Sequence, residues 1–553
     1  MVRRKKNYPW ENNYPEGVVW DVNIPQKPLY DIMDEAASKY PDNICVDFYG
    51  RKFTYAQIKD SVDRFAAGLQ ESGVVKGTKI GILLPNCPQF IIAYYAILKV
   101  GAVVVNYNPL YTISELSYQV KDSETEIMIT LNLNQLYEKT STLLQTTPLD
   151  RVIVSNFEDF LPSHKKILFK LLKSKDIASV HYGMINLSFS DLLKSEPDYE
   201  EVEINPKEDV ALLQYTGGTT GTPKGAVLTH YNLYANTIQS GMWFTGLEEG
   251  KEKMLGVLPL FHVFAMTVVM NLSILKACEI ILHVRLDIIN LLKDISKKKP
   301  TLMPGVPTLF TAIFNHKNVK DYNLKSLKAC ISGGAPLPED VKVKFEEMTG
   351  CKLFEGYGLT EASPVVSANP LSGESKAGSI GLPLPGTIVE IRSTEGRRPL
   401  VKEGAVGEIC VTGPQVMLGY LNNEEETKST IRNGRLHTGD LGYIDKKGYI
   451  FVADRIKDLI ITGGFNVYPS EVEDAIHKHS SVEEVAVIGV PDDYKGQIVK
   501  AFVKLKTGEE LSESDLKIFL KGKLTKYKIP SEIKFMKELP KTMIGKISKK
   551  DLV

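Results

Sequence analysis

Tyr215-Thr-Gly-Gly-Thr-Thr-Gly-Thr-Pro-Lys-Gly225 is the stretch on which the reading of this chain turns. It follows a short apolar run, residues 210–213, and precedes Ala226-Val-Leu-Thr-His230, so it reads as a loop between two β-strands. Its glycines, Gly217, Gly218, Gly221 and Gly225, carry no Cβ and let the backbone turn tightly and approach a ligand. Thr216, Thr219 and Thr220 add hydroxyl donors, and Lys224 adds a point positive charge. Clustered N–H groups, hydroxyls and one ammonium make a phosphate cradle. It is not the P-loop of NTPases, where Gly-Lys-Ser/Thr opens a helix, because here the lysine sits between Pro223 and Gly225. A flexible polar surface loop is the alternative, and flanking strands on both sides count against it.

Upstream of the loop, continuous apolar runs alternate with amphipathic helices. Residues 79–85, 102–106 and 126–130 read as strands, and residues 89–98 and the stretch from Pro109 as helices. A further helix starts behind Thr54 as N-cap, with Ile58, Val62, Phe65, Ala66 and Leu69 at helical spacing. This pattern predicts a doubly wound α/β domain with parallel strands covered on both faces. Residues 162–175 stand apart, because five lysines interleave with Ile167, Leu168, Phe169, Leu171 and Leu172. Two readings fit: a helix on an anionic membrane surface, or a surface helix docking its apolar stripe on the protein.

Downstream, Pro-Leu-Phe-His at 259–262 is apolar apart from His262, and a lone histidine there reads first as a hydrogen-bonded core residue. Pro304-Gly-Val-Pro-Thr308, which holds Gly305, and Ser332-Gly-Gly-Ala-Pro336, which holds Gly334 and Ala335, lie at strand ends, where α/β proteins place ligands. Gly356-Tyr-Gly-Leu-Thr-Glu361 puts Glu361 where a dinucleotide fingerprint needs a third glycine, which argues against a nicotinamide enzyme. An aromatic, a hydroxyl and a carboxylate suit a nucleotide better: Tyr357 on a base, Thr360 on phosphate, Glu361 on Mg²⁺. In Leu436-His-Thr-Gly-Asp-Leu441 a turn presents Asp440, a carboxylate able to accept both ribose hydroxyls. The remainder, with strands near 485–490, 500–505 and 533–536 and a helix over 511–521, predicts a small α+β domain.

The chain of 553 residues exceeds what one core supports, so two or more domains are expected. Equal numbers of acidic and basic residues, 67 each, leave no basic footprint for nucleic acid. Six scattered cysteines without Cys-x-x-Cys spacing read as buried free thiols of a reducing, cytoplasmic compartment. The basic start lacks the apolar segment of a signal peptide, and residues 90–105 and 258–274 are too interrupted to span a membrane.

The order of phosphate loop, Tyr-Gly-x-Thr-Glu, Thr-Gly-Asp, Asp454-Arg-x-Lys457 and Gly545-Lys546 resembles the acyl-adenylate-forming, or AMP-binding, superfamily. Residues 103–112, 214–221 and 464–469 most resemble its bacterial long-chain fatty-acid–CoA ligases. The resemblance implies that MgATP and a carboxylate give acyl-AMP and pyrophosphate, after which the CoA thiol displaces AMP. It implies a large domain over residues 1–455 and a small mobile one over 457–553. Thr216, Gly217, Gly218, Thr219, Thr220, Gly221 and Lys224 hold phosphates by this likeness, with Thr360 beside them and Glu361 on Mg²⁺. Gly334, Ala335, Gly356 and Tyr357 flank adenine, Asp440 and Arg455 take ribose and phosphate, and Lys546 bridges carboxylate and α-phosphate. Lys457 falls at the hinge, Gly463 and Gly464 line the pantetheine tunnel, and Phe261, His262 and Gly305 border the acyl site, His262 not as general base. An apolar acyl tunnel walled by Leu233, Ala235, Ile238, Met242, Phe244, Val263, Phe264 and Met266 is expected for a medium- to long-chain acid. The alternatives are an aryl-CoA ligase of the 4-coumarate type and a non-catalytic nucleotide- or acyl-binding protein; retention of Lys546 and Glu361 weighs against the second. Expected partners are therefore fatty acid, ATP and CoA, with peripheral contact to the inner membrane face through residues 162–175. Assembly as a single copy or a homodimer is open at this stage.

Overall fold

Apolar runs without alternation become strands covered on both faces. The computed structural model describes residues 8–216, 223–393, 404–463, 465–492, 494–542 and 547–552. Lys79–Ile82, Val103–Asn106, Ile127–Leu131 and Arg151–Ser155 pair in parallel. Val210–Thr216 joins them in parallel and then turns back antiparallel on Lys224–Thr229. With Asn186–Ser188 and Gly419–Tyr420 at its ends, this sheet has eight strands. The expected strand–loop–strand is thus a β-hairpin in which Thr216 and Lys224 are direct cross-strand partners.

A second sheet of nine strands holds the other ligand-side loops. Lys253–Gly256, Leu302–Gly305, Ala329–Ser332 and Lys352–Gly358 run parallel, so residues 305–306, 332–336 and 356–361 emerge at the same edge. Helices cover both sheets. Tyr55–Glu71 begins with a Thr54–Gln57 capping box, and its expected apolar positions are fully buried. Pro88–Lys99 is buried on every side; its cation, Lys99, is neutralised by Asp34 at 2.6 Å and Asp63 at 2.7 Å.

The helix His230–Trp243 lies in the interior, yet it is not a simple apolar wall. Leu233 and Ala235 are fully buried as expected, but so are Asn236 and Gln239, with Asn232 nearly so. Asn232 Nδ2 donates to the Pro414 carbonyl (2.8 Å), and Asn236 both donates to the Val365 carbonyl (2.7 Å) and accepts the Val365 N–H (2.9 Å). Gln239 donates to the Pro385 carbonyl (2.7 Å). The helix therefore satisfies backbone groups of three chain segments that have no ladder partner there.

Two features go beyond the expected doubly wound plan. Residues 388–455 build a third, antiparallel sheet from Ile388–Arg392, Gly407–Thr412, Ile431–Arg432, Arg435–Ile444 and Ile450–Arg455. After it, Ile460–Thr462, Phe465–Val467, Val482–Asp492, Gly496–Leu505 and Glu532–Phe535 form the expected small α+β unit with helices Pro469–His477 and Glu513–Lys521. One hydrophobic core runs from Trp10 to Ile450 and another begins at Ile460.

The lysine-rich segment forms the helix Ser163–Leu172. Phe169 packs on Phe157, while Ile167, Leu168, Leu171 and Leu172 are 53–73% exposed. Its lysines face protein partners instead: Lys165 donates to the Tyr49 carbonyl, Lys166 pairs with Asp159 at 2.7 Å, and Lys173 with Asp176 at 3.0 Å. The apolar stripe is turned outward. All six cysteines are free and buried, as the scattered spacing implies. Among the described residues no helix is long and apolar enough to cross a membrane.

Candidate active site

The hairpin register sets the first part of the site. Thr216 ends one strand and its hydroxyl donates to the Lys224 carbonyl at 3.5 Å. Gly217, Gly218, Thr219, Thr220 and Gly221, the expected phosphate contacts, lie outside the described residues. Lys224 points its ammonium over the Tyr420 ring, 5.6 Å from the centroid, and ion-pairs with Glu426 at 2.5 Å. The Tyr420 hydroxyl in turn donates to Glu361 Oε1 at 2.7 Å. Tyr420 thus links the lysine to the carboxylate, and burial together with Glu361 pushes its phenol far above the usual range. Tyr420 and Glu426 were not anticipated. They sit some two hundred residues from the loop in sequence, and only pairing of Gly419–Tyr420 with Lys224–Thr229 brings them there.

A second cluster surrounds Asp440. Asp440 lies not in the expected turn but inside the strand Arg435–Ile444, at a bulge where the Thr438 hydroxyl donates to the Ile409 carbonyl (2.8 Å) and accepts the Asp440 N–H (3.1 Å). Asp440 is 5% exposed, and each of its oxygens has a partner: the Tyr357 hydroxyl donates to Oδ2 at 2.5 Å, and Arg455 Nε lies 3.1 Å from Oδ1. Arg455 is its cross-strand neighbour. Tyr357, Asp440 and Arg455, expected to serve one nucleotide, therefore form one hydrogen-bonded corner. Glycines make it possible for the strand to pass so close: a Cβ on Gly358 would stand 2.3 Å from the Pro364 carbonyl oxygen. Gly356 packs against Ile331, and Thr360 opens the short turn Thr360–Ala362 that carries Glu361.

The loop over 332–336 is held against this strand by Glu355, another residue not anticipated. Its carboxyl accepts the Leu337 N–H at 3.2 Å, and burial pushes it up to about 8. Gly334, exposed at φ +79°, and the half-buried Ala335 sit at the crest of that loop. Gly305 is buried where a Cβ would meet Phe310 at 2.8 Å, so close packing also calls for a glycine here.

His262 caps a short helical turn, and its Nδ1 accepts the Phe264 N–H at 3.3 Å. Burial pushes it down to about 4, so it is neutral at physiological pH and a poor proton acceptor. This agrees with a contact residue rather than a general base. The Phe261 carbonyl is tied to Gln214 at 3.1 Å, and Phe264 lies against Gly333, so the 261–264 turn touches both sheets.

Beyond Arg455, Lys457 lies in the turn Ile456–Asp458, and burial holds its ammonium below the usual lysine range. Asp454 anchors the same segment by accepting the Arg455 and Ser470 N–H groups, both at 2.8 Å. Gly463 is exposed at φ +56° and donates to the Lys495 carbonyl at 2.9 Å. Gly464 and Lys546 lie outside the described residues.

The arrangement offers a carboxylate, a lysine and threonine hydroxyls at one end and an aspartate–arginine–tyrosine corner at the other, which suits a nucleotide with its phosphates. Comparison with known proteins points the same way. Residues 33–421 match the family model described as AMP-binding enzyme, and residues 471–546 that of the AMP-binding enzyme C-terminal domain. A long-chain-fatty-acid–CoA ligase of Bacillus subtilis (strain 168) is 44% identical over 99% of this chain and 97% of its own length. A probable 4-coumarate–CoA ligase 1 of Dictyostelium discoideum is 31% identical over 100% of this chain and 98% of its own. Among solved structures, ATP-bound MatB from Rhodopseudomonas palustris superposes with a TM-score of 0.83 at 28% identity, covering 95% of this chain and 98% of that one.

Proposed function

The chain belongs to the AMP-binding enzymes, an acyl-CoA ligase by its relatives, and from that premise we propose a site-by-site reading of how it activates a fatty acid. The overall conversion is carboxylate, ATP and CoA to acyl-CoA, AMP and pyrophosphate through an acyl-adenylate. The observation that carries the reading is the convergence of Lys224, Tyr420 and Glu361 at the mouth of the phosphate hairpin, with Tyr357, Asp440 and Arg455 forming the neighbouring corner.

The acid is already ionised, so adenylation needs no general base, and a neutral His262 agrees with that. Catalysis then rests on positioning and on neutralising charge at phosphorus. Thr216, Lys224 and the loop residues 217–221 take the phosphates, with Lys224 exchanging Glu426 for a phosphate oxygen. Asp440 takes the ribose hydroxyls, with Arg455 beside it. Gly334, Ala335 and Gly356 border the adenine beside Tyr357. Glu361 offers hard carboxylate oxygens, one of them aimed by Tyr420, and it would hold Mg²⁺. Such an ion supplies charge neutralisation on the triphosphate.

In this reading residues 1–455 bind nucleotide and acid, and residues 457–553 turn about Lys457. The separate cores on either side of that turn support a rigid-body rotation. One orientation brings Lys546 between carboxylate and α-phosphate; the other presents Gly463 and Gly464 to the pantetheine arm of CoA. Phe261, His262 and the turn up to Phe264 border the acyl group. The higher identity to a long-chain fatty-acid ligase than to a 4-coumarate ligase favours an aliphatic acid of medium to long chain. The outward Ile167, Leu168, Leu171 and Leu172 of the helix Ser163–Leu172 are the proposed contact with an anionic bilayer that stores the acid. Because the lysines beside them are largely engaged by protein, apolar insertion contributes more here than charge.

Pyrophosphate release measured with acetate, octanoate, palmitate and coumarate tests substrate class. kcat/KM should rise from acetate to the fatty acids, each added methylene contributing up to about 0.8 kcal/mol until the site is full. Higher values for acetate or coumarate than for every fatty acid would reverse the assignment. Lys546→Ala should slow adenylation by ~100-fold or more, yet make thioester from presynthesised acyl-AMP and CoA at near the parent rate.

A further inference from the structure

Two cysteines that take no part in the reaction lie in contact beneath the nucleotide site. Cys330 is the second residue of the strand Ala329–Ser332, and Cys351 immediately precedes the strand Lys352–Gly358. The strands are parallel neighbours, with Ala329 opposite Lys352. The two sulfur atoms are 3.7 Å apart, and the Thr349 hydroxyl donates to the Cys351 sulfur at 3.1 Å. Cys330 is 1% exposed and Cys351 4%. Cys351 nonetheless sits one residue below the surface, between exposed Gly350 and exposed Lys352, just where the helix Glu339–Thr349 ends on a left-handed glycine.

We propose that Cys330 and Cys351 form a redox-responsive dithiol, which a hydroperoxide converts to a disulfide that clamps the two strands carrying the nucleotide-binding loops. The chemistry is a two-electron oxidation. The Cys351 thiolate attacks one peroxide oxygen, the O–O bond breaks, and with the thiol proton the products are a sulfenic acid and water (or an alcohol). The Cys330 sulfur then attacks the Cys351 sulfur, the S–O bond breaks, and hydroxide leaves with the Cys330 proton as a second water. Two thiols lose two electrons, and the peroxide accepts both.

The local setting assigns the roles. Its hydrogen-bond contact with Cys330 holds the Cys351 thiol below its usual range, opposed by burial and assisted by Thr349, whereas burial holds Cys330 well above it. Cys351, nearer the surface and richer in thiolate, is the sulfur that meets the oxidant, and Cys330 is the one that resolves it. Bond formation must bring the sulfurs from 3.7 Å to ~2.04 Å, a closure of about 1.7 Å. Ser332 follows Cys330 by two residues and leads into Gly334 and Ala335, while the neighbouring strand delivers Glu355 and Tyr357. Drawing these strands together at one point shifts the loop crest relative to Tyr357, so ATP binding should weaken before the chemical step does.

The test is peroxide treatment of the native full-length protein, quenching by alkylation, and peptide mapping. The free thiol count should fall from six to four, with one cross-linked peptide joining Cys330 to Cys351. KM for ATP should rise about threefold or more with kcat within about twofold, and dithiothreitol should reverse both changes. Cys330→Ser and Cys351→Ser should each abolish the cross-link and the KM shift. Six thiols surviving in the treated protein, a linkage to any other cysteine, or an equal KM shift in Cys330→Ser would overturn the proposal. The mapping of the unmutated protein decides the cross-link even if a variant folds poorly.

Discussion

The helices His230–Trp243 and Ser163–Leu172 invert one another. The first buries Asn232, Asn236 and Gln239 in the interior of the molecule; the second displays Ile167, Leu168, Leu171 and Leu172 to solvent. Side-chain polarity alone would place each the other way round. What separates them is the demand of the surrounding backbone. Around the first helix, the Val365, Pro385 and Pro414 segments bring unpaired carbonyl and amide groups into a water-free region, where only polar side chains can satisfy them. The second helix has acidic residues and carbonyls on its protein side, Asp159 and the Tyr49 carbonyl among them, so its lysines turn inward and its leucines are left outside.

The strongest way to break this contrast is Asn236→Leu, which keeps the volume but strands the Val365 N–H and leaves its carbonyl only the long 3.4 Å bond from Gln415 Nε2. One orphaned buried N–H and one weakened carbonyl predict a loss of about 2–3 kcal/mol, read as a lower thermal midpoint. ATP affinity should fall with it, because Val365–Ala368 is the strand that pairs with the end bearing Tyr357. No change in midpoint would mean that the amide is dispensable and the contrast accidental.

A smaller effect is expected at the start of the same helix. His230 is 1% exposed, its Nδ1 accepts the Leu29 N–H at 3.3 Å, and burial pushes it down to about 4 from an ordinary value of 6.5. Between those values the unfolded chain binds a proton that the folded chain refuses, so stability falls as pH falls from 6.5 toward 4. At pH 5 the histidine should have cost the fold about 2 kcal/mol relative to pH 7. His230→Gln should narrow the difference in thermal midpoint between pH 7 and pH 5; an unchanged difference would show that other groups govern acid sensitivity.

The outer helix sharpens the contrast from the opposite side. Leu168→Gln with Leu171→Gln removes exposed apolar surface and should move stability by no more than about 0.5 kcal/mol. Sedimentation with anionic vesicles should fall nonetheless. Replacing Lys166 and Lys173 by Gln should affect vesicle binding less than the leucine changes do, because both are paired within the protein. The reverse order would restore charge as the main attraction.

Much of the architecture was legible because local rules and tertiary context agree there. Thr54 caps its helix as the Thr-x-x-Gln spacing implies, and residues 79–82, 103–106 and 127–131 are buried strands as their apolar continuity implies. The corner of Tyr357, Asp440 and Arg455 was legible through motif resemblance, although the direct bonds among the three were not. Tyr420 escaped notice because its strand is two residues long and acquires meaning only by pairing with Lys224–Thr229. The packing of Gly305 on Phe310 was not legible, because it depends on a helix that follows the strand and closes back on it. The antiparallel sheet over 388–455 was missed because its strands share no one periodicity: Ile388–Arg392 alternates, Gly407–Thr412 is buried almost throughout, and a bulge falls between Glu408 and Cys410.

The cross-strand pairing of Thr216 with Lys224 has one more consequence. Directly opposed residues of an antiparallel pair keep their Cα atoms ~4.5–5.5 Å apart, whatever the chain between them does. Whatever joins them, the connection over residues 217–223 therefore starts and ends at attachment points that the sheet fixes. Loops taken from other hairpins with the same closure could be grafted there, and altered phosphate specificity selected among them, with the ribose corner left as it stands.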